Sequence, residues 1–155
     1  MSDIKNGSTR VVTAARGWMG TPYRHQNSLR GVGCDCLGLL RGVWRELAGD
    51  EPEIAPPYSS DWAETGSRET LLDAAQRHLV PCGDGKLIAG RVVIFRMQRR
   101  ALAKHVGIVS SASHFIHAYE AAGVLESAFD AFWRNRIVQL FEFPERQFKP
   151  TANEG

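Results

Sequence analysis

Three residues in this 155-residue chain could carry nucleophilic chemistry if the fold brings them together: Cys36, His105 and His117. A thiol needs a base within hydrogen-bond reach, and the base needs a third group that holds its ring in the productive tautomer. Cys36 follows Asp35 in GVGCDCLGLLRGVWRELAG, where Cys36, Leu39, Leu40, Val43, Trp44 and Leu47 form a helical apolar stripe. Asp35 is a good N-cap, so Cys36 falls in the first turn, among unpaired N–H groups and at the positive end of the helix dipole. A thiol there is expected to ionise at roughly 3.5–7.5. Gly31 and Gly33 in the preceding loop leave room for a substrate backbone. On local features alone, Cys36 fits better as a small buried hydrophobe of the stripe.

The histidines lie in two segments that read as neighbouring strands, KHVGIVS and HFIHAYE. Period-2 geometry puts His105, Gly107 and Val109 on one face, and Phe115, His117 and Tyr119 on one face of the next strand. If those faces coincide and meet the Cys36 helix, thiol and imidazoles converge. His114 falls on the face opposite His117 and is the poorer candidate.

The elements that must position these groups follow from the pattern. Ser8 and Thr9 can cap a first helix carrying Val11, Ala15 and Trp18, with Gly17 and Gly20 weakening its end. GTPYRHQNSLRGVG reads as a long loop, and Gly49 closes the cysteine helix. Ser67 opens another helix, with Leu71, Leu72, Ala75 and Leu79 on one face, and PCGDGKLIAG reads as a turn region. Arg91–Phe95 and RIVQLFEF add two strands to the histidine pair. Helices first and strands after imply an α+β domain on an antiparallel sheet, spanning residues 1–148 with a frayed or partner-docked tail at 149–155.

A formal net charge of +2 gives no ground for specific nucleic-acid binding. No stretch approaches the 18 apolar residues of a membrane span. The polar MSDIKNGSTR start lacks an apolar signal-peptide core, so the expectation is synthesis in the cytoplasm and exit by lysis or by assembly into a particle. Three cysteines are too few and too badly spaced for a disulfide framework. Cys34 and Cys36 could form a metal or redox pair, but Cys-x-Cys with the His105–His117 interval fits no common zinc spacing, and Cys-x-x-Cys is absent. No metal and no cofactor are expected. Cys34 reads as a loop residue near a substrate channel, Cys82 as a turn residue without a role, and His78 as a solvated helix position. MQRRALAK reads as a solvated loop.

At this point the chain resembles a known family. TPYRHQNSLRGVGCDCLGLL, KHVGIV and FIHAYEAAGV match, in order, the three signature blocks of the NlpC/p-sixty cell-wall peptidases. Asp35, Cys36 and Gly38 fit the nucleophile block, with Tyr23 where the family keeps its tyrosine. His105 to Ile108 fit the second block, and Ile116, His117, Ala118, Gly123 and Val124 the third. Leu37 stands where many members have serine, His25 and Gln26 replace a frequent Gly-Gly, and Gly90-Arg91 replaces a frequent Gly-Asp.

The resemblance implies a papain-like fold, a Cys-His-His catalytic set and cleavage of peptidoglycan stem peptides, often at the γ-D-glutamyl to diamino-acid bond. It implies Cys36 as nucleophile, His105 as base, His117 as orienter, and the Cys36 amide with the Tyr23 hydroxyl as oxyanion donors. His25 could touch substrate beside Tyr23; Asp35 is better placed to cap the helix than to act on substrate. Within the family the chain is similar to short peptidases of phage tails and gene transfer agents, implying tail or baseplate partners, with contacts around Tyr58 to Trp62 and the C-terminal tail, and action in the periplasmic cell wall. A catalytically silent adaptor, and an amidase or acyltransferase on the same scaffold, are the alternatives.

Overall fold

The structure is a computed structural model that describes residues 7–52, 70–97 and 104–150. Ser67, the Tyr58 to Trp62 segment, most of MQRRALAK and residues 151–155 lie outside them. The first helix, α1 (Gly7–Arg16), buries Val11, Ala14 and Ala15 at helical spacing. Ser8 and Thr9, expected as its caps, lie inside its first turn. The second, α2 (Cys36–Ala48), begins as expected: Asp35 is extended at φ −100° and ψ −172°, and its carboxylate accepts from the Gly38 N–H. Gly49, at φ 91°, ends it. Short side chains let α1 and α2 close on each other. A Cβ at Gly42 would sit 1.9 Å from Cζ2 of Trp18, so the indole occupies the space a side chain would need.

Six antiparallel strands form the main sheet: β3 (Val80–Cys82), β4 (Val92–Phe95), β5 (His105–Ser111), β6 (His114–Tyr119), β7 (Gly123–Ala128) and β8 (Ile137–Glu142), in the order β3-β8-β4-β5-β6-β7. The four expected strands are its centre. Both edges are additions: β7 pairs along all of β6, and β3 pairs Val80–Cys82 with β8. Cys82 is therefore a strand residue rather than a turn residue; its backbone completes an edge ladder although PCGDG carries turn-forming glycines. Within the expected loop, β1 (Ser28–Leu29) and β2 (Gly33–Cys34) make a two-stranded hairpin.

Alternation divides the sheet's side chains between two cores. Val92, Ile94, Val106, Ile108, Ile116 and Ala118 pack with α1, α2 and α3 (Thr70–His78). Val93, Phe95, Val109, Phe115 and Leu140 pack on the other face with Phe129 and with Trp133 of α4 (Ala131–Arg134). At Lys149 the N–H donates to the Leu47 carbonyl at 2.6 Å, and the carbonyl accepts from Arg10 at 2.5 Å. Among the described residues no helix is long and apolar enough to cross a membrane.

Gly42→Ala should destabilise the fold by about 1–3 kcal/mol, the usual result of overpacking a filled contact. A urea midpoint unchanged from wild type would show that Trp18 does not hold this position.

Candidate functional site

The site is assembled on one buried carboxylate. Asp35 Oδ1 accepts from the Gly38 N–H at 2.7 Å, and Oδ2 accepts from the Gln26 N–H at 2.7 Å. One side chain thus caps α2 and ties the preceding loop to the helix start. Gln26 takes a left-handed φ of 65°, and a Cβ at Gly38 would lie 1.9 Å from the Asn27 carbonyl oxygen, so loop and helix meet at main-chain contact. His25 stands exposed at this junction, its Nδ1 3.8 Å from Asp35 Oδ2. Asp35 itself is 3% exposed, which fits the cap it was expected to be.

Cys36 is the first residue of α2, and the N–H groups of Cys36, Leu37 and Val106 all favour its ionised form. Its sulfur lies 3.7 Å from the Lys104 carbonyl oxygen. The thiol is therefore seated on the main chain that flanks His105 on both sides. Burial nevertheless dominates. It pushes the Cys36 thiol up to about 12, with Asp35 adding to the rise. The expectation of a thiol lowered by the helix N-terminus is corrected here: desolvating a thiolate outweighs three amide dipoles.

The two histidines meet. His105 Nε2 lies 2.8 Å from His117 Nδ1, with the rings nearly perpendicular at 81°. Strands β5 and β6 place Ile108 opposite Ile116, so His117 reaches His105 diagonally past Gly107. A Cβ at Gly107 would stand 3.2 Å from His117 Cβ and 3.0 Å from Phe115 Cδ2. Glycine is what lets the rings close. Trp133 stacks on His105 at 5.6 Å and 29°, and Phe115 lies 4.4 Å from His117. On its far side, His117 Nε2 is 2.8 Å from Ser127 Oγ. In this apolar shell burial lowers His105 to about 3, helped by the neighbouring His117 and Lys104, and lowers His117 to about 4.

The histidine face does not meet the body of α2, as the strand pattern had been read. That face carries the Phe95, Phe115 and Trp133 core, while α2 covers the opposite face, and the sulfur of its first residue lies at the leading end of β5. The remaining expected residues divide. Tyr23 is half-buried in a parallel bridge with Cys34, and burial together with the nearby Cys36 and Asp35 raises its hydroxyl pKa. Cys34 does not line a channel: it is wholly buried in the core under β2, and its N–H and carbonyl pair with Pro22 and Arg24. His114, turned from His117, bonds to Ser113 Oγ at 2.7 Å. His78 is half-buried at the end of α3. Among the described residues no group of three or more His, Cys, Asp or Glu is arranged to hold a metal.

Ser127 and Trp133 were not anticipated. Ser127 sits on β7, whose GVLESA carries too few β-branched residues to announce a strand. Trp133 follows the Asp130 cap of a helix only four residues long.

Comparison with known proteins fits this geometry. No family model matches the chain. It is similar to the murein DD-endopeptidase and LD-carboxypeptidase MepS of Escherichia coli, at 26% identity over 86% of this chain and 60% of MepS. It is likewise similar to the probable endopeptidase NlpC of the same species, at 28% identity over 80% of this chain and 70% of that protein. The chain thus spans less than two-thirds of the length of MepS. The crystal structure of the NlpC/p60 domain of the peptidoglycan hydrolase SagA superposes with a TM-score of 0.57, at 19% identity, over 90% of this chain and 100% of that one. The fold is the papain-like α+β fold of the NlpC/p60 structures.

The lowered histidines set an acid limit on stability. An unfolded imidazole takes up its proton near 6.5, whereas the folded His117 and His105 do so only near 4 and 3. Protons therefore favour the unfolded chain as pH falls below 6.5, and stability is lost across that window. The urea midpoint should fall steadily from pH 7 to pH 4.5, with a shallower slope in His117→Gln. A midpoint that stays level across the window would contradict the burial of neutral rings.

Proposed function

We propose that this chain is a cysteine peptidase that hydrolyses amide bonds in peptidoglycan stem peptides, with Cys36 as nucleophile, His105 as base and His117 as orienter. The observation that carries the reading is the 2.8 Å contact between His105 and His117, on a strand whose leading main chain holds the Cys36 sulfur. His117 occupies Nε2 of His105, which leaves Nδ1 as the ring nitrogen able to take the thiol proton. The similarity to MepS and NlpC supports cell-wall peptide as the substrate class.

The resting site holds a neutral thiol and neutral imidazoles, since burial raises the one and lowers the others. Thiolate then forms as the scissile carbonyl arrives and His105 takes the proton. Sγ bonds to the carbonyl carbon, and the C–N bond breaks as His105 returns the proton to the leaving amine. The helix-start amide of Cys36 faces the developing oxyanion, and Tyr23, its pKa raised, remains a protonated donor. Water, giving a proton to His105, attacks the thioester carbonyl; the C–S bond breaks, the carboxylic product leaves, and His105 returns the proton to Sγ. Cleavage at the γ-D-glutamyl to diamino-acid bond, and service in a phage-like tail that opens the wall for DNA entry, rest on the resemblance of the three sequence blocks. Product analysis of digested muropeptides and immunolocalisation on purified particles test them in turn.

A catalytically silent adaptor is the second reading, favoured by one observation: Cys36 is only 9% exposed. The two part on activity. Cys36→Ala and His105→Ala should each lower muropeptide release by about 10³-fold or more, as removal of a nucleophile or its base does. His117→Ala should retain measurable turnover, because orientation is one part of the acceleration. Release undiminished in Cys36→Ala would overturn the assignment.

A further inference from the structure

We propose that Ser127 is a positioning residue that extends the histidine pair, its hydroxyl accepting from His117 Nε2 once His105 takes up a proton and so stabilising the protonated row. The inference rests on the peptidase reading for its catalytic meaning and on geometry for its existence. Three polar groups stand in line: His105 Nε2 lies 2.8 Å from His117 Nδ1, and His117 Nε2 lies 2.8 Å from Ser127 Oγ. Two neutral imidazoles in such a row have two proton patterns. In one, His105 Nε2–H donates to His117 Nδ1 and His117 Nε2–H donates to Ser127, which leaves the Nδ1 lone pair of His105 open to a thiol proton. In the other every bond is reversed, Ser127 donates, and His105 presents an N–H where a base is needed.

A third proton on the rings decides between them. When His105 takes the thiol proton, both of its nitrogens donate, His117 Nδ1 must accept, and Ser127 can only accept. The hydroxyl serves either neutral pattern, but it gives the charged row an acceptor that its outermost N–H would otherwise lack. The packing gives His117 little else: Phe115 and Trp133 cover its ring at 4.4 and 5.1 Å, and neither offers an acceptor at Nε2. The other ionisable groups facing the pair are Cys36 and Lys104 at the start of β5 and Tyr119 on β6; α4 contributes the indole of Trp133. Ser127 is half-buried on a strand near the edge of the molecule, so its hydroxyl can be removed without emptying the core.

Two readouts on the full chain test this. Nitrogen-15 NMR of the ring nitrogens should find the pair taking up its proton at higher pH in wild type than in Ser127→Ala, with His117 carrying a proton on Nε2 in the charged row. On muropeptides, Ser127→Ala should lower kcat about 3–10-fold at constant KM, in line with the loss of one hydrogen bond of about 0.5–1.5 kcal/mol. It should also move the acid limb of kcat/KM to lower pH, because the protonated row loses an acceptor; Ser127→Thr should restore both. A charged row in which His117 Nε2 carries no proton would overturn the proposal. So would a Ser127→Ala chain whose rings protonate at the wild-type pH and whose acid limb is that of wild type. If wild type cleaves no muropeptide, the peptidase reading fails, while the NMR result still decides the role of Ser127.

Discussion

The hydrogen bond between His105 and His117 constrains more of this molecule than its length implies. Two rings can approach this closely only if their strands are antiparallel neighbours, in a register that sets them on one face two positions out of line, with nothing between. Ile108 opposite Ile116 supplies the register, and Gly107 supplies the gap. A slip of one residue would turn every side chain of β6 to the other face and send His117 into the α2 core. The register is held there by the apolar residues that alternate with the site. Ile108, Ile116 and Ala118 face the helices, while Val109 and Phe115 face Trp133. Packing on both faces of the sheet fixes a contact between two polar groups.

The same division explains the electrostatics of the nucleophile. A helix N-terminus offers a thiolate a fraction of a positive charge, with effects commonly near 1 kcal/mol or less. Taking a thiolate out of water is far more unfavourable. Where Cys36 is pressed between the first turn of α2 and the leading main chain of β5, burial prevails and the neutral thiol is the resting form. The neighbouring carboxylate pushes the same way. Asp35 cannot be dispensed with, because it caps α2 and anchors the loop through Gln26, yet its charge opposes ionisation of the adjacent sulfur. The arrangement sacrifices a ready-made thiolate for a rigid helix start and places the burden of deprotonation on His105.

What could be read from the sequence tracks how local each determinant is. Asp35 as cap, Cys36 as the first helical residue and Gly49 as terminator are decided within a few residues, and all three appear where capping chemistry puts them. The central strands carry enough β-branched and alternating residues to show themselves. The edge strands do not: β3 is three residues of VPC, and β7 draws its stability from pairing along β6 rather than from its own composition. Cys34 looked like a loop residue because a two-residue strand that begins on a glycine has no periodicity to detect. The thiol's pKa was misjudged because burial is a property of the whole fold, whereas the helix dipole can be read from one segment.

These limits bear on why half the site was visible and half was not. Chemically reactive residues are rare types, so Cys36, His105 and His117 stand out even before their elements are known. The residues that make them work are common: a serine on a nondescript edge strand, a tryptophan on a four-residue helix, a glycine in the middle of β5. Each acts by position. Ser127 matters because β7 lies against β6, Trp133 because the chain after β7 folds back over the histidine face, and Gly107 because a methyl group there would part the rings. A nucleophile can thus be inferred from its own type and its immediate neighbours, whereas the shell that sets its protonation and orientation follows only from the sheet order that draws distant segments together.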